Sequence, residues 1–549
     1  MDPGVPIRAV GDRAVLVELP GLPEVLSLQA QLEAEPSEGQ LDVVAAAQTV
    51  LVTAGSPRQA AGIARRIRSL DFSVRPRAEE AHIDIEVVYD GADLAEVARH
   101  AGLSESGVIE AHTSQDWTAA FGGFAPGFAY LTGGDRRLEV PRRASPRTSV
   151  PAGSVALAGG YSAIYPRESP GGWQLIGRTD AVLWDLGRDV PALIRPGHRV
   201  RFTAVRESVS TSARPGAASG GPATQPARRR RGAPHDVSVP ASGPGAFVVE
   251  TGLSSVLEDL GRPGYAALGV AGSGALDRGS CRQANRLVGN PSGAAVVESL
   301  FGGLVLESRS ELVLAVTGAP APLAVTSPGG TRRSVDTCAP FLLRAGERLA
   351  VGAPAEGLRT YTAVRGGWEA APVLGSRSTD VLSGLGPEPL ARGGFLRAGT
   401  DPGSAVGNPE LPSAVSRPAV LRIVPGPRAD WFADGEPARL CAARWTVTPQ
   451  SNRVGLRLDG PALRRVESGE LPSEGVVRGA LQVPPSGLPV LFLADHPVTG
   501  GYPVIGVVIS EDLDRAAQLP PGAEVRFEAS PGHSPFPAGP RVSPLPPTG

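Results

Sequence analysis

The 549-residue chain contains no lysine; all 53 of its fixed positive side chains are arginine. Walker-type phosphate loops and protein-kinase sites need a lysine, and pyridoxal phosphate and biotin attach through a lysine amine. This chain can supply none of these, so a covalently carried cofactor would have to arrive on a partner. Cysteine is almost as scarce. Cys281, Cys338 and Cys441 stand far apart at no metal or redox spacing, and they fit a reducing, cytoplasmic setting where free thiols pack as small hydrophobes. No apolar run approaches the roughly 18 residues of a membrane span. The first twelve residues have neither the basic nor the apolar stretch of a signal peptide, and no membrane association is expected. A formal net charge of −2 provides no global field to hold nucleic acid. No group of His, Cys and carboxylates has metal-ligand spacing, so no metal site is expected.

What the chain has in quantity is glycine and proline, 70 and 55 residues, set between short apolar runs. That is the pattern of short strands joined by tight turns. One stretch, VPAGSVALAGGYSAIYPRESPGGWQLIGRT (Val150 to Thr179), has a counterpart in VPPSGLPVLFLADHPVTGGYPVIGV (Val483 to Val507). Each begins Val-Pro, passes through an apolar strand and closes on Gly-Gly-aromatic followed by Ile-Gly. A looser echo is Gly366-Gly367-Trp368. Such spacing points to related β-modules, read here as several copies of one barrel-like unit.

In chain order, strands or a hairpin over Ile7–Leu19, a helix from Pro23, an apolar strand over Leu41–Thr53, a helix after Ser56-Pro57 and a strand at Ile83–Tyr89 give a small α/β domain over 1–80. Helical signal at Asp93–His100 and Ser104–His112, then FGGFAPGFAYL and many short strands, give an α-decorated barrel over 81–206. Residues 207–245 read as a linker. Their run Arg228–Arg231 has no aromatic interleaved as a nucleic-acid surface would. Two further modules span 246–417 and 418–530, and a Pro-rich tail follows over 531–549.

Phe124, Phe128 and Tyr130 in FGGFAPGFAYL are flat walls beside glycines such as Gly127. They suit a small-molecule pocket or a glycine-bent strand with ring packing. Arg147, between Pro146 and Pro151, presents a guanidinium from a stiff loop, either to an anion or to solvent. His112 is either a general base or a structural histidine. Asp277, Arg278, Asn285 and Arg286 gather around one turn and helix. Arg453, Glu474, Gln482, Asp495 and Thr499 to Tyr502 are polar groups beside apolar strands, as at the mouth of a ligand-binding barrel.

These motifs carry a resemblance. FGGFAPGFAYL, PRRASPRTSVPAGSVALAGG and SPGGWQLIGRT resemble the B subunit of bacterial ATP-dependent 5-oxoprolinase (allophanate hydrolase subunit 1, the Kip kinase-inhibitor family). GLSSVLEDLGRPGYAALGV, GALDRGSCRQANRLVGNP, LGSRSTD, PQSNRVGLRLDGP, SEGVVRGALQVPPSG and TGGYPVIGVVIS resemble the C subunit, which is biotin-dependent carboxyltransferase-like. The chain looks like the two subunits fused. The resemblance implies a mostly β protein with an α+β N-terminal domain and tandem cyclophilin-like β-barrels, one in the first half and two in the second. It implies ATP-driven opening of the 5-oxoproline lactam to glutamate, with Mg and a separate 5-oxoprolinase A subunit. In that scheme Arg147, Gly153, Gly171, Gly172, Trp173, Asp277, Arg278, Asn285, Arg453, Gln482, Thr499 and Tyr502 would hold substrate or nucleotide, with Phe124 and Gly127. His112, Glu474 or Asp495 would handle protons. Self-association stays open. The family often has a lysine where Val504 stands. Two alternatives share the resemblance: the carboxyltransferase part of a urea carboxylase, which needs a biotinylated partner, and a regulator that binds a sensor histidine kinase.

Overall fold

In a computed structural model of the chain, the described residues are 5–72, 81–206, 243–412, 418–467, 469 and 471–531. The expected linker over 207–245 and the expected tail lie almost wholly outside them.

The N-terminal unit is a four-stranded antiparallel sheet carrying two helices, Leu22–Ala34 and Pro57–Ile67. The second helix begins where its sequence says it should. The Ser56 Oγ accepts the Gln59 amide, Pro57 takes the first turn, and Ala60, Ile63, Ala64 and Ile67 turn inward. Residues 7–19 form the hairpin alternative, while the strand His82–Val87 leaves this unit and joins the next. Alternation along the strands gives the sheet two apolar faces. Val15, Val17, Val43, Val50 and Val52 lie beneath the helices. Leu16, Val44 and Leu51 point the other way and pack against Val424, Val476, Val504 and Val507, near the far end of the chain.

Two seven-stranded barrels follow the same path. In the first, the strands are His82–Val87, Asp116–Gly122, Ala129–Thr132, Ser154–Ala158, Tyr161–Ile164, Gln174–Arg178 and Arg199–Ala204. Around the sheet they run first, seventh, second, third, fifth, fourth, sixth. The bridge between Val88 and Arg178 brings the sixth strand back to the first. In the second, the strands are Ala419–Pro425, Trp445–Val447, Gly455–Asp459, Ala480–Gln482, Val490–Phe492, Val504–Val508 and Glu524–Ala529, and they close in the identical order. In both, the first and last strands pair in parallel. Each barrel also carries a two-stranded side ribbon at the same two points of its path, after the third and after the fifth strand. These are Arg147–Val150 with Ser169–Gly171, and Glu474–Gly475 with Thr499–Gly500. The repeat is therefore real in its Gly-Gly-aromatic half. Its Val-Pro half is out of register, since Val150-Pro151 precedes the fourth strand and Val483-Pro484 follows it.

Between the barrels, where the resemblance implies a third, the strands form two facing sheets of six and five around Val248, Leu257, Val297, Leu306, Leu314 and Leu349. The chain changes sheet at tight corners. Gly252 (φ +65°) is one, and the run Phe301, Gly302 and Gly303, all at positive φ, is another. Residues in that conformation turn the chain too sharply for its flanking strands to pair as a continuous ring. Gly366-Gly367-Trp368 belongs to this unit as a turn and a core indole, not as a ribbon. The helix Arg278–Leu287 covers the outer face of the five-stranded sheet through Cys281, Ala284 and Leu287. Among the described residues no helix is long and apolar enough to cross a membrane.

The N-terminal sheet is also tied to the start of the second half by Asp42, which accepts the amides of Gly264 at 2.8 Å and Ala266 at 3.1 Å. Burial pushes its carboxyl up to about 6 against those bonds. The folded state therefore holds this proton longer than the unfolded chain does, and the group makes stability fall as pH rises from about 4 to about 6. Asp42→Asn is expected to flatten that part of the pH–stability curve in urea denaturation. An unchanged slope would count against a buried carboxylate at this junction.

Candidate functional site

The two side ribbons meet across one cavity of about 230 Å³. From the first barrel it takes Phe124, Phe128, Tyr130, Tyr165, Trp173, Gly171, Gly172 and Arg142; from the last, Thr499, Gly500, Gly501 and Tyr502, with Leu471 and Ser473. Its formation depends on close backbone approach. A Cβ on Gly123 would lie 2.4 Å from the Thr499 Oγ1, and one on Gly122 would lie 2.4 Å from the carbonyl oxygen of Ala267. Phe124 itself adopts φ +61° to turn its ring inward. The rings pack edge to face. Phe128 lies 5.1 Å from Tyr130, 5.5 Å from Tyr165 and 5.7 Å from Trp173, and the wall is rigid.

The cavity's polar groups are few. Burial pushes the Tyr130 hydroxyl up to about 12 and raises that of Tyr165, so both stay neutral donors. The Thr499 Oγ1 is buried and has no hydrogen-bond partner. Among the described residues, the one charged side chain lining the cavity is Arg142, whose field reaches both tyrosines. Its loop is pinned from behind. Arg143 and Arg147 both grip Asp93, at 2.7 and 2.8 Å, and the Arg143 amide donates to the Gly172 carbonyl at 2.8 Å. Against burial, Arg147, the Leu175 amide and Arg143 hold the Asp93 carboxyl below the usual range.

Of the residues singled out from the sequence, Phe124, Phe128, Tyr130, Gly171, Gly172, Trp173, Thr499 and Tyr502 line this cavity. Arg147 acts one step back, through Asp93. Gln482 supports the facing ribbon, its amide donating to the Tyr502 carbonyl at 3.1 Å. Gly127 donates its amide to the Leu268 carbonyl at 3.1 Å, and Gly153 (φ +80°) is a turn beside Thr179.

The proton-handling assignments need correction. His112 is 0 % exposed, with Nδ1 at 2.7 Å from the Tyr89 hydroxyl and Nε2 at 2.9 Å from the Ser162 hydroxyl. Its ring packs on Trp117 and Phe202. Burial pushes its pKa down to about 3, so it is a neutral core group. Glu474 is clasped by Arg428, which also pairs with Glu18 of the N-terminal hairpin. Asp277 caps its helix by accepting the Ser280 amide. Asn285 ties the following loop through the Ala294 carbonyl.

Asp495 belongs to a second, wholly buried constellation where the middle unit meets the last barrel. Arg453 reaches Asp495 at 2.9 Å, Glu298 at 2.5 Å and Glu258 at 3.2 Å. The Ser273 hydroxyl donates to Asp495 at 2.7 Å, and the Tyr361 hydroxyl donates to Glu298 at 2.9 Å. Burial drives Glu258 well up; Arg453 opposes it, while Glu298 and Asp495 add to it. Against burial, Arg453 and Arg359 hold Glu298 low. Glu258 is thus shifted toward its neutral form and Glu298 toward its charged one. Sequence reading missed Glu258, Glu298 and Arg142. The signal was a lone carboxylate inside an apolar strand, as in VVESL.

The comparisons agree with this architecture. Residues 5–194 match the model "Carboxyltransferase domain, subdomain C and D", and 268–529 match "Carboxyltransferase domain, subdomain A and B". The C subunit of 5-oxoprolinase from Escherichia coli is 33% identical over 287 residues, which is 51% of this chain and 89% of that protein. The chain belongs to the carboxyltransferase-domain family. Within that family, the B subunit of 5-oxoprolinase from Escherichia coli is 52% identical over 134 residues, 24% of this chain and 62% of that protein. The crystal structure of TTHA0988 aligns over 94% of this chain and 99% of its own, at 33% identity and a TM-score of 0.79. The second half is thus similar to the C subunit, and part of the first half to the B subunit.

Because burial favours the neutral form of Glu258, Glu258→Gln is expected to change stability by less than about 1 kcal/mol. Asp495→Asn, which removes a charge-paired partner of Arg453, is expected to cost about 2–4 kcal/mol. Equal losses in chemical denaturation would contradict this difference between the two acids.

Proposed function

We propose that the chain is the B–C component of an ATP-dependent 5-oxoprolinase, and that the cavity between the ribbons binds the lactam. The observation that carries this reading is the convergence of two repeated ribbons on one small aromatic cavity, in which Arg142 is the single cation among the described lining residues. A five-membered lactam carrying a carboxylate matches such walls: its ring lies against Trp173, Tyr165 and Phe128, and its carboxylate faces Arg142. The Thr499 hydroxyl, which lacks a protein partner, faces the ring amide, and Ser473 stands beside it.

A lactam is a poor electrophile, and phosphorylation of its oxygen makes it hydrolysable, releasing ADP, phosphate and glutamate. The cavity lies below the roughly 300–1,000 Å³ of sites for drug-sized ligands, so a nucleotide does not share it with the lactam. We assign ATP with its Mg to the assembled enzyme, which includes a separate A subunit. To this chain we assign the binding and orientation of the lactam in a water-poor cleft.

ATP-dependent release of glutamate from 5-oxoproline, assayed with the purified chain and a candidate A subunit, tests the reading. Turnover is expected only with both. Arg142→Met is expected to raise KM by about 10- to 100-fold, the loss of one charge-assisted contact. Absence of turnover with the correct partner, together with copurification of a biotinylated protein, would point instead to carboxyl transfer.

A further inference from the structure

Behind the cavity, the ribbon of the last barrel runs on. The Val476 amide donates to the Val498 carbonyl at 3.0 Å, and two residues farther along the two chains lie Arg478 and His496. There the ribbon meets the start of the helix Arg278–Leu287. Arg278 donates to the Ser273 carbonyl at 3.3 Å, and Arg478 donates to the Leu276 carbonyl on the same loop. The Nε of each is buried without a hydrogen-bond partner, and among the described residues neither guanidinium forms an ion pair. The acid nearest both, Asp514, spends its two oxygens on the amides of Arg278 and Gly279, at 2.8 and 2.9 Å. Asp495 is already clasped by Arg453. A third arginine, the exposed Arg282, lies one helical turn on.

The charge balance of this corner differs from that around Arg453 and Arg428. Arg453 carries three carboxylates and Arg428 carries two. Arg278 and Arg478 donate only to main-chain carbonyls and share the nearby charge of Asp514. Burial, then Arg478 and Arg282, brings Arg278 down to about 9. His496 is held neutral by burial, its Nδ1 2.7 Å from the Pro497 carbonyl oxygen, and adds no charge. The loop supplying the two carbonyls includes Ser273 at φ +50°.

We propose that this cluster is a binding site for a phosphoryl oxyanion, held between Arg278 and Arg478 with Arg282 at its rim. Two guanidiniums that repel each other, each with an unfilled buried N–H, are satisfied together by a dianion lying between them. A monocarboxylate would neutralise only one. The ligand is either free phosphate or the terminal phosphate of a nucleotide. The site is separate from the lactam cavity and does not rest on what that cavity binds.

Isothermal titration of the full-length protein at low ionic strength, with inorganic phosphate, ADP and acetate as probes, tests it. Phosphate is expected to bind and acetate not to. ADP binding tighter than phosphate would identify a nucleotide as the source, and the reverse order would identify free phosphate. Arg478→Met is expected to weaken phosphate by roughly tenfold, while the unliganded variant melts at the same temperature as the parent or higher, because a repulsion is gone. Arg282→Met, on an exposed helix position, keeps the fold and is expected to weaken phosphate by a few fold. Phosphate that binds no better than acetate, or binds equally to all variants, overturns the proposal. So does a drop of several degrees in the melting temperature of unliganded Arg478→Met, which would make the guanidinium a structural tie.

Discussion

The fold turns on the double burial of the N-terminal sheet. One face lies under its own helices and the other lies on the last barrel, so the first and last parts of the described chain share a core around Leu16, Leu51, Val476 and Val507. This contact brings the ribbon at 474–500 opposite the ribbon at 147–171. Polar ties fix its register: Asp12 accepts the amide and hydroxyl of Ser510, and Arg428 bridges Glu18 and Glu474. Covalent joining of the halves makes this contact intramolecular, with an effective concentration set by the chain rather than by expression.

Val504, 6 % exposed, belongs to the same apolar surface as Val10, Leu16 and Leu51, and a lysine at that position would have to carry its ammonium away from it. The absence of lysine elsewhere has a related logic. Arg262, Arg359 and Arg453 are almost wholly buried, and each reaches several acceptors at once. Arg453 serves three carboxylates and the Gly274 carbonyl. A planar five-donor fork can do this where a compact ammonium cannot.

Much of this was legible in the sequence, because turn chemistry is local. Ser56-Pro57 marks a helix start, Gly-Gly-aromatic marks the ribbons, and most of the cavity's aromatic and glycine lining was recognised from the repeat and its aromatic neighbour. What escaped was long-range. Nothing local says that Arg142, rather than Arg147, faces the cavity, since Asp93, which captures Arg147, lies far back in the chain. His112 looks like a base until Tyr89, Ser162 and Phe202 are seen to enclose it. The shared strand order is invisible because pairing of first and last strands leaves no trace at short range. The two facing sheets of the middle unit hinge on left-handed corners such as Phe301, which the sequence does not announce.

Pairing of first strand with last also bears on how such a chain is made. Synthesis proceeds from the N-terminus, and neither barrel can close before its final strand has left the ribosome. The row of Leu16, Val44 and Leu51 waits longest of all, since its cover, Val476, Val504 and Val507, is translated far downstream. Contacts so distant in sequence form slowly and leave apolar surface open meanwhile. Until residues 424–507 have been made, the nascent chain carries a sheet with one greasy side and no partner for it.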